Sequence, residues 1–171
     1  MNSAQMHLAL THVPVILSIT GLLMLIISFI IKNATLTKTS YILIIIAGIA
    51  AIPVYLTGEE TEEAIEHLPG VSENIISKHE DVAKWAMISV VAAGIAALFA
   101  FFSFKWLAVS KVSKVLVLVL SLTTGGLMVQ TAHLGGQIRH SEIRSGAAVQ
   151  DGNENGSTQN AGEKKSEKDD D

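Results

Sequence analysis

A bundle of four transmembrane helices is the fold this sequence predicts. Three observations predict it: four long apolar runs carry no Asp, Glu, Lys or Arg, lysines gather in two of the connections between them, and acids gather in the third. Length decides the class. A bilayer core of roughly 30 Å needs about 20 apolar residues in a helix rising 1.5 Å per residue. Of the 171 residues 49% are hydrophobic and only 16% charged, whereas a soluble domain carries about a quarter charged residues.

The first run covers about 8–31, ending before Lys32. It is longer than the apolar stretch of a signal peptide and no Lys or Arg precedes it, so it reads as a retained span. The second, about 41–57, is short, contains Pro53 and ends at Gly58; the third covers 85–104 and the fourth 115–134. Only helices and closed barrels satisfy every backbone group in lipid. Barrel strands alternate apolar and polar over about ten residues; these runs are continuous and longer, so four helices is the reading.

Two connections, 32–40 and 105–114, hold Lys32, Lys38, Lys105, Lys111 and Lys114 and no acid, while 58–81 holds eight acids and one lysine. The positive-inside rule places the lysine connections in the cytoplasm and both termini outside a bacterial inner membrane. Tyr55, Trp85 and Trp106 fall at the expected interfaces, where amphipathic rings prefer to sit. The acidic stretch has local order of its own. Thr57-Gly58-Glu59-Glu60 has the form of a capping box, Leu68-Pro69-Gly70 is a break, and Ser72 is suited to cap a helix running into the third span. The expectation is an extracytoplasmic helical hairpin over the end of the bundle.

The net charge of −4 belongs to the tail: residues 151–171 hold seven acids and three lysines, and the rest balances nine acids against nine bases. Residues 1–145 read as one membrane domain. Residues 146–171, rich in Gly, Asn, Ser, Glu, Lys and Asp, read as a disordered acidic tail. With no cysteine, disulfides, thiolate metal sites and cysteine nucleophiles are excluded. No basic patch with interleaved aromatics points to nucleic acid. No nucleophile elbow, phosphate loop or His-Glu-x-x-His occurs, so the sequence gives no specific case for an enzyme. Thr123, Thr124, Gln130 and Thr131 suggest a polar path along span four, but carboxylates and lysines at depth, which a pump needs, are missing.

Chemistry concentrates in the histidines. An up-and-down topology brings His7, His12, His67, His79, His133 and His140 to the end opposite the lysines. His7 and His12 differ by five positions, roughly 140° around a helix, so both border one interior only if the helix is distorted, as Pro14 allows. Three readings compete. The first is haem b between two neutral imidazoles, drawn from His12 with His79 or His133 and with His7 in reserve; Arg139 and Arg144 would pair with its propionates. The second is a divalent metal on the acidic hairpin, using Glu60, Glu63, His67 and His79, with Glu63 and His67 an i, i+4 pair. The third is histidines that only hydrogen-bond at helix ends, in a structural or assembly subunit without cofactor. Gly21, Gly48 and Gly94 read as sites of close helix approach.

Several strings also carry a resemblance: His7-x4-His12-Val13-Pro14, Thr57-Gly58-Glu59, Glu66-His67-Leu68-Pro69-Gly70-Val71-Ser72, His79-Glu80, and Thr131-Ala132-His133-Leu134-Gly135-Gly136. Over about residues 5–145 the chain resembles an uncharacterised, domain-of-unknown-function family of small bacterial membrane proteins with four predicted helices. In some relatives a comparable region is joined to cytochrome c domains. The resemblance implies a redox setting and points to His7, His12, His79 and His133. Relatives often have His-Pro at the first motif where this chain has His7-Leu8. The partners it implies are membrane lipid and a cytochrome or quinone, with self-association into a homo-oligomer left open.

Overall fold

The computed structural model describes residues 3–68 and 70–140, and these form four long helices with no strand among them. Helix α1 is Ser3–Ile30, α2 Ala34–Ile65, α3 Glu73–Phe102 and α4 Leu107–Arg139. Each is long and apolar enough to cross a membrane. Each also has about 30 residues, roughly 45 Å at 1.5 Å per residue, so every helix extends beyond a hydrocarbon core of about 30 Å. Successive helices pack side by side and α1 meets α4, closing an up-and-down bundle.

The helices begin and end where local chemistry permits. Asn33 caps α2, its side chain accepting from the Leu36 amide at 2.9 Å, so the first connection shrinks to 31–33. Lys32, within it, has φ +51, a left-handed conformation that normally selects glycine and costs another residue roughly 1–2 kcal/mol. A short 3-10 turn, Ser103–Lys105, and Trp106 link α3 to α4. Lys38, Lys111 and Lys114, expected in connections, are therefore helical. The wider connections inferred from hydropathy are shorter because polar residues at the membrane surface continue a helix as readily as apolar ones.

The acidic stretch departs from expectation in the same way. No separate hairpin lies over the bundle, because α2 runs unbroken through Thr57-Gly58-Glu59-Glu60 to Ile65. The Thr57 hydroxyl turns back to the Pro53 and Val54 carbonyls at 2.9 and 3.0 Å instead of capping. The reversal itself occupies 66–72, with Gly70 at φ +81 and Ser72 at the N-cap of α3, where its carbonyl oxygen accepts from Ile75 and Ile76. Pro14 and Pro53 lie inside continuous helices, and α4 passes Gly135-Gly136 without a break. The tail 146–171 lies outside the described residues.

The interior combines small side chains with a few large ones, Leu25, Tyr41, Ile44, Val90 and Val117. Ala47, Ala93 and Ala97 are fully buried, while Ile16, Ile49, Ile95 and Val129 point outward. Gly48 and Gly94 bring α2 and α3 into backbone contact: a Cβ on Gly48 would stand 3.1 Å from the Val90 carbonyl oxygen and one on Gly94 3.6 Å from the Gly48 Cα. Gly21 packs so closely on α2 that a Cβ would meet Ile44 at 2.8 Å. The expected close approaches are all present. Thr123 and Gln130 face outward and the buried Thr124 is tied to Ser89 at 2.8 Å, so these side chains do not line a common path.

This packing has a measurable consequence. Gly48→Ala forces α2 and α3 apart and costs about 1–3 kcal/mol, whereas Gly126→Ala, which meets nothing within 4 Å, leaves stability unchanged or raises it by up to about 1 kcal/mol. Thermal unfolding of both variants in one detergent checks this. Equal midpoints would refute the α2–α3 contact.

Candidate functional site

Up-and-down topology gathers the described histidines at one end of the bundle, and the side chains there divide into two groups. His7, in the opening turns of α1, and His79, in the second turn of α3, are half-buried. His12, His67, His133 and His140 are exposed.

His7 reaches across to α2. Its Nδ1 lies 3.0 Å from the Val54 carbonyl oxygen and 3.3 Å from Thr57 Oγ1. Its ring rests on Gly58, where a Cβ would stand 3.4 Å from Cε1. His79 does the same to α4. Its Nδ1 lies 3.1 Å from the Thr131 carbonyl oxygen, and a Cβ on Gly135 would stand 3.2 Å from its Cε1. The receiving helix presents the same device both times: an accepting carbonyl at one position and a glycine four residues later, one turn along the same face. The two hairpins, α1–α2 and α3–α4, thus hold their imidazoles alike. The rings are also near enough for a charge on His7 to act on His79.

The hydrogen bonds fix the tautomer. A carbonyl oxygen can only accept, so Nδ1 carries the proton on both rings and Nε2 keeps its lone pair. Among the described residues neither Nε2 has a hydrogen-bond partner. An imidazole anchored through Nδ1–H to a carbonyl, with Nε2 open, has the arrangement that metal-ligating histidines adopt.

The other expected residues fall differently. His12 bonds within its own helix, Nδ1 to the Leu8 carbonyl oxygen at 3.0 Å. His133 Nε2 is 3.1 Å from the Gln137 side-chain nitrogen. The structure therefore turns His7 and His79 inward and leaves His12 and His133 exposed, and five positions of helical rotation keep His7 and His12 off one face. Arg139 ends α4; its side chain, like Arg144, lies outside the described residues. His67 sits past the end of α2, so its partner is Glu66 at 3.2 Å and not Glu63. Glu60 and Glu63 are exposed on the acidic face of α2, and Glu62 lies within range of the charge on Glu80 of α3. Among the described residues no three His, Asp or Glu side chains converge as a metal site would require.

Val54, Thr57, Gly58, Thr131 and Gly135 are the part of the site that hydropathy and charge do not reveal. Thr57-Gly58 suggests a capping box and Gly135-Gly136 a helix break; both glycines are instead the floors on which imidazoles lie.

Histidine-selective 15N NMR in micelles, under conditions where the rings are neutral, will show His7 and His79 as Nδ1–H tautomers. Gly135→Val will move the His79 resonances while leaving those of His7 close to their original positions. Nε2–H tautomers at both rings would contradict the assignment.

Comparison with known proteins returns no match, whether to a family model, a curated protein or a solved structure.

Proposed function

We propose that this chain is a redox-associated membrane protein of the b-type cytochrome kind, in which His7 and His79 provide Nε2 to the iron of haem b. The observation that carries the reading is the matched pair of half-buried imidazoles, each held by Nδ1–H to a carbonyl of the neighbouring helix and each lying on a glycine. When bound, haem supplies one-electron chemistry. The protein's part is to hold two rings in one tautomer, keep Nε2 available, and shelter the rings beside the bundle. Electrons would pass between a quinone or cytochrome partner and an acceptor beyond the membrane.

Ligand arithmetic favours haem over a bare divalent ion. A porphyrin brings four nitrogen donors, so two imidazoles complete the iron. Zinc in a protein site takes three or four side-chain donors, and no such set converges among the described residues. The structural reading has its own support, since both Nδ1 bonds join neighbouring helices and stabilise the bundle with no cofactor at all.

The lysine end faces the cytoplasm of a bacterial inner membrane in this proposal, with both termini outside. Five lysines and no acid in 32–40 and 105–114, against eight acids and one lysine in 58–81, carry it.

Full-length protein purified from haem-replete cells is expected to show a Soret band. His7→Ala and His79→Ala will each abolish the low-spin spectrum, while His12→Ala and His133→Ala keep it. Colourless protein that loses thermal stability in the two former variants would replace the haem reading with the structural one. Zinc, copper or manganese in elemental analysis, released by Glu63→Ala and His67→Ala, would replace it with the metal reading. For topology, the absence of native cysteine makes single-cysteine variants clean reporters: a cysteine at position 34 will be shielded from an impermeant thiol reagent in intact cells and one at position 64 labelled. The reverse pattern inverts the proposed orientation.

A further inference from the structure

The lysine end holds a second site. Between α1, α2 and α4 lies a cleft of about 530 Å³ lined by Lys32, Lys111 and Lys114 together with Phe29, Phe104 and Val115. We propose that this cleft binds the phosphodiester headgroup of an anionic phospholipid, with the acyl chains running down the apolar face beside it.

Charge is the first argument. Three lysines line one cleft, and neither connection at this end contains an acid, nor does any residue of 1–58 or 82–141. Among the described residues none of the three lysines has a carboxylate partner within salt-bridge distance. Three cations gathered without a counter-charge repel one another, and an anion shared among them removes that repulsion. Lys114 is held in place rather than waving in water. Its Nζ donates to the Ser28 carbonyl oxygen at 3.3 Å and to Thr37 Oγ1 at 3.1 Å, and lies 4.2 Å from the centre of the Phe29 ring. One of its three N–H donors has no protein acceptor among the described residues.

Backbone geometry adds a second, independent argument. Asn33 and Ala34, the cap and first residue of α2, line the same cleft. The Asn33 side chain takes the Leu36 amide, and the preceding amides at the start of α2 have no partner within the helix. Free amides and the positive end of a helix favour an anion there. Lys32 reaches the rim from a left-handed backbone position, φ +51, that a glycine would hold with less strain; lysine at that place keeps an ammonium at the mouth of the cleft.

The apolar residues decide between a lipid and a soluble phosphate. Phe29, exposed on α1, and Val115, exposed on α4, flank the lysines where these helices leave the hydrocarbon. A soluble anion has no use for that wall, whereas an acyl chain does. Basic pockets between helices at the membrane surface take anionic headgroups in this way. The inference rests on the cleft alone and does not depend on the haem reading.

The test uses full-length protein in a neutral detergent, titrated with phosphatidylglycerol, phosphatidylcholine or inorganic phosphate and read by thermal shift and by native mass spectrometry. Phosphatidylglycerol is expected to stabilise the protein and remain bound; phosphatidylcholine and millimolar phosphate are not. Lys32→Gln and Lys111→Gln, both at exposed positions, will each weaken phosphatidylglycerol binding about fivefold, the equivalent of about 1 kcal/mol per lysine near an anionic headgroup. The melting midpoint without lipid will not fall, and will rise slightly where removing one ammonium relieves repulsion among the three. Lys84→Gln, at the opposite end, will change nothing. Equal stabilisation by phosphatidylcholine, or a preference that survives Lys32→Gln and Lys111→Gln combined in one chain, would overturn the site. A shift reproduced by inorganic phosphate alone would overturn the lipid as its occupant.

Discussion

Helix association in this protein rests on how closely backbones can approach. Lipid tails are as apolar as leucine, so burying a large side chain against another helix gains little over leaving it in the bilayer. What remains is contact between surfaces with few atoms in the way. The chain accordingly turns many of its large apolar side chains outward and sets Ala47, Ala93, Ala97, Gly48 and Gly94 among a few buried large ones, Leu25, Tyr41, Ile44, Val90 and Val117. Several hydroxyls inside the bundle are satisfied within their own helix: Ser18, Ser28, Ser40 and Thr124 each bond to a carbonyl three or four residues back, while the buried Ser121 hydroxyl has no partner among the described residues. Such an interior is tight and chemically quiet. Groups with donors, acceptors and charge are displaced to the two ends, where the helices outrun the hydrocarbon.

The same close approach prepares the histidine end. An imidazole can reach the carbonyl of a neighbouring helix only where that helix offers no side chain in between. Gly58 and Gly135 provide the opening, each one turn beyond the carbonyl that accepts the Nδ1 proton. A glycine within a helix costs about 1 kcal/mol relative to alanine, and both sit well inside helices. At Gly135 that cost is offset by a ring contact that a Cβ, 3.2 Å from His79 Cε1, would crowd; at Gly58 a Cβ would stand in ordinary contact with His7, 3.4 Å from Cε1. The device occurs once in α1–α2 and once in α3–α4, although the sequences of the two hairpins show no visible repeat. Equivalence survives in the placement of four residues, which is too sparse a pattern for sequence periodicity to register.

How much of this is legible in the sequence follows from which signals are one-dimensional. Membrane spanning is such a signal, since apolar length is read directly along the chain, and so is the segregation of lysines from acids. The close-packed glycines are nearly as plain, because Gly21, Gly48 and Gly94 stand in the middle of apolar runs where only packing explains them. Helix ends are less legible. The polar residues from Thr57 to Ile65 fit a new capped helix and a continuation of the old one equally well, and the choice is made by the Thr57 hydroxyl, which bonds backward. Which histidines are inward is legible only as a constraint: five positions of rotation separate His7 from His12, but the sequence alone does not say which of the two faces α2. Val54 and Thr131 act through backbone carbonyls, so their side-chain identity carries no trace of the role.

The two ends of the bundle are linked by charge rather than by contact. Antiparallel helices nearly cancel one another's dipoles, so the electrical asymmetry of the molecule comes from its side chains: lysines without acids at one end, and Glu59, Glu62, Glu63, Glu66 and Glu80 crowded at the other. Like charges so close, with Glu62 in range of four other acids, disfavour compact order, and they are tolerated because water reaches the ends of α2 and α3. At the opposite end the repulsion among Lys32, Lys111 and Lys114 is relieved by a surface that water shares with lipid phosphate. The acidic end is thus solvated by water, and the lysine cleft is the end with a proposed counterpart of opposite sign outside the protein. The distribution that fixes how the bundle sits in a membrane is the same one that determines what can approach each of its ends.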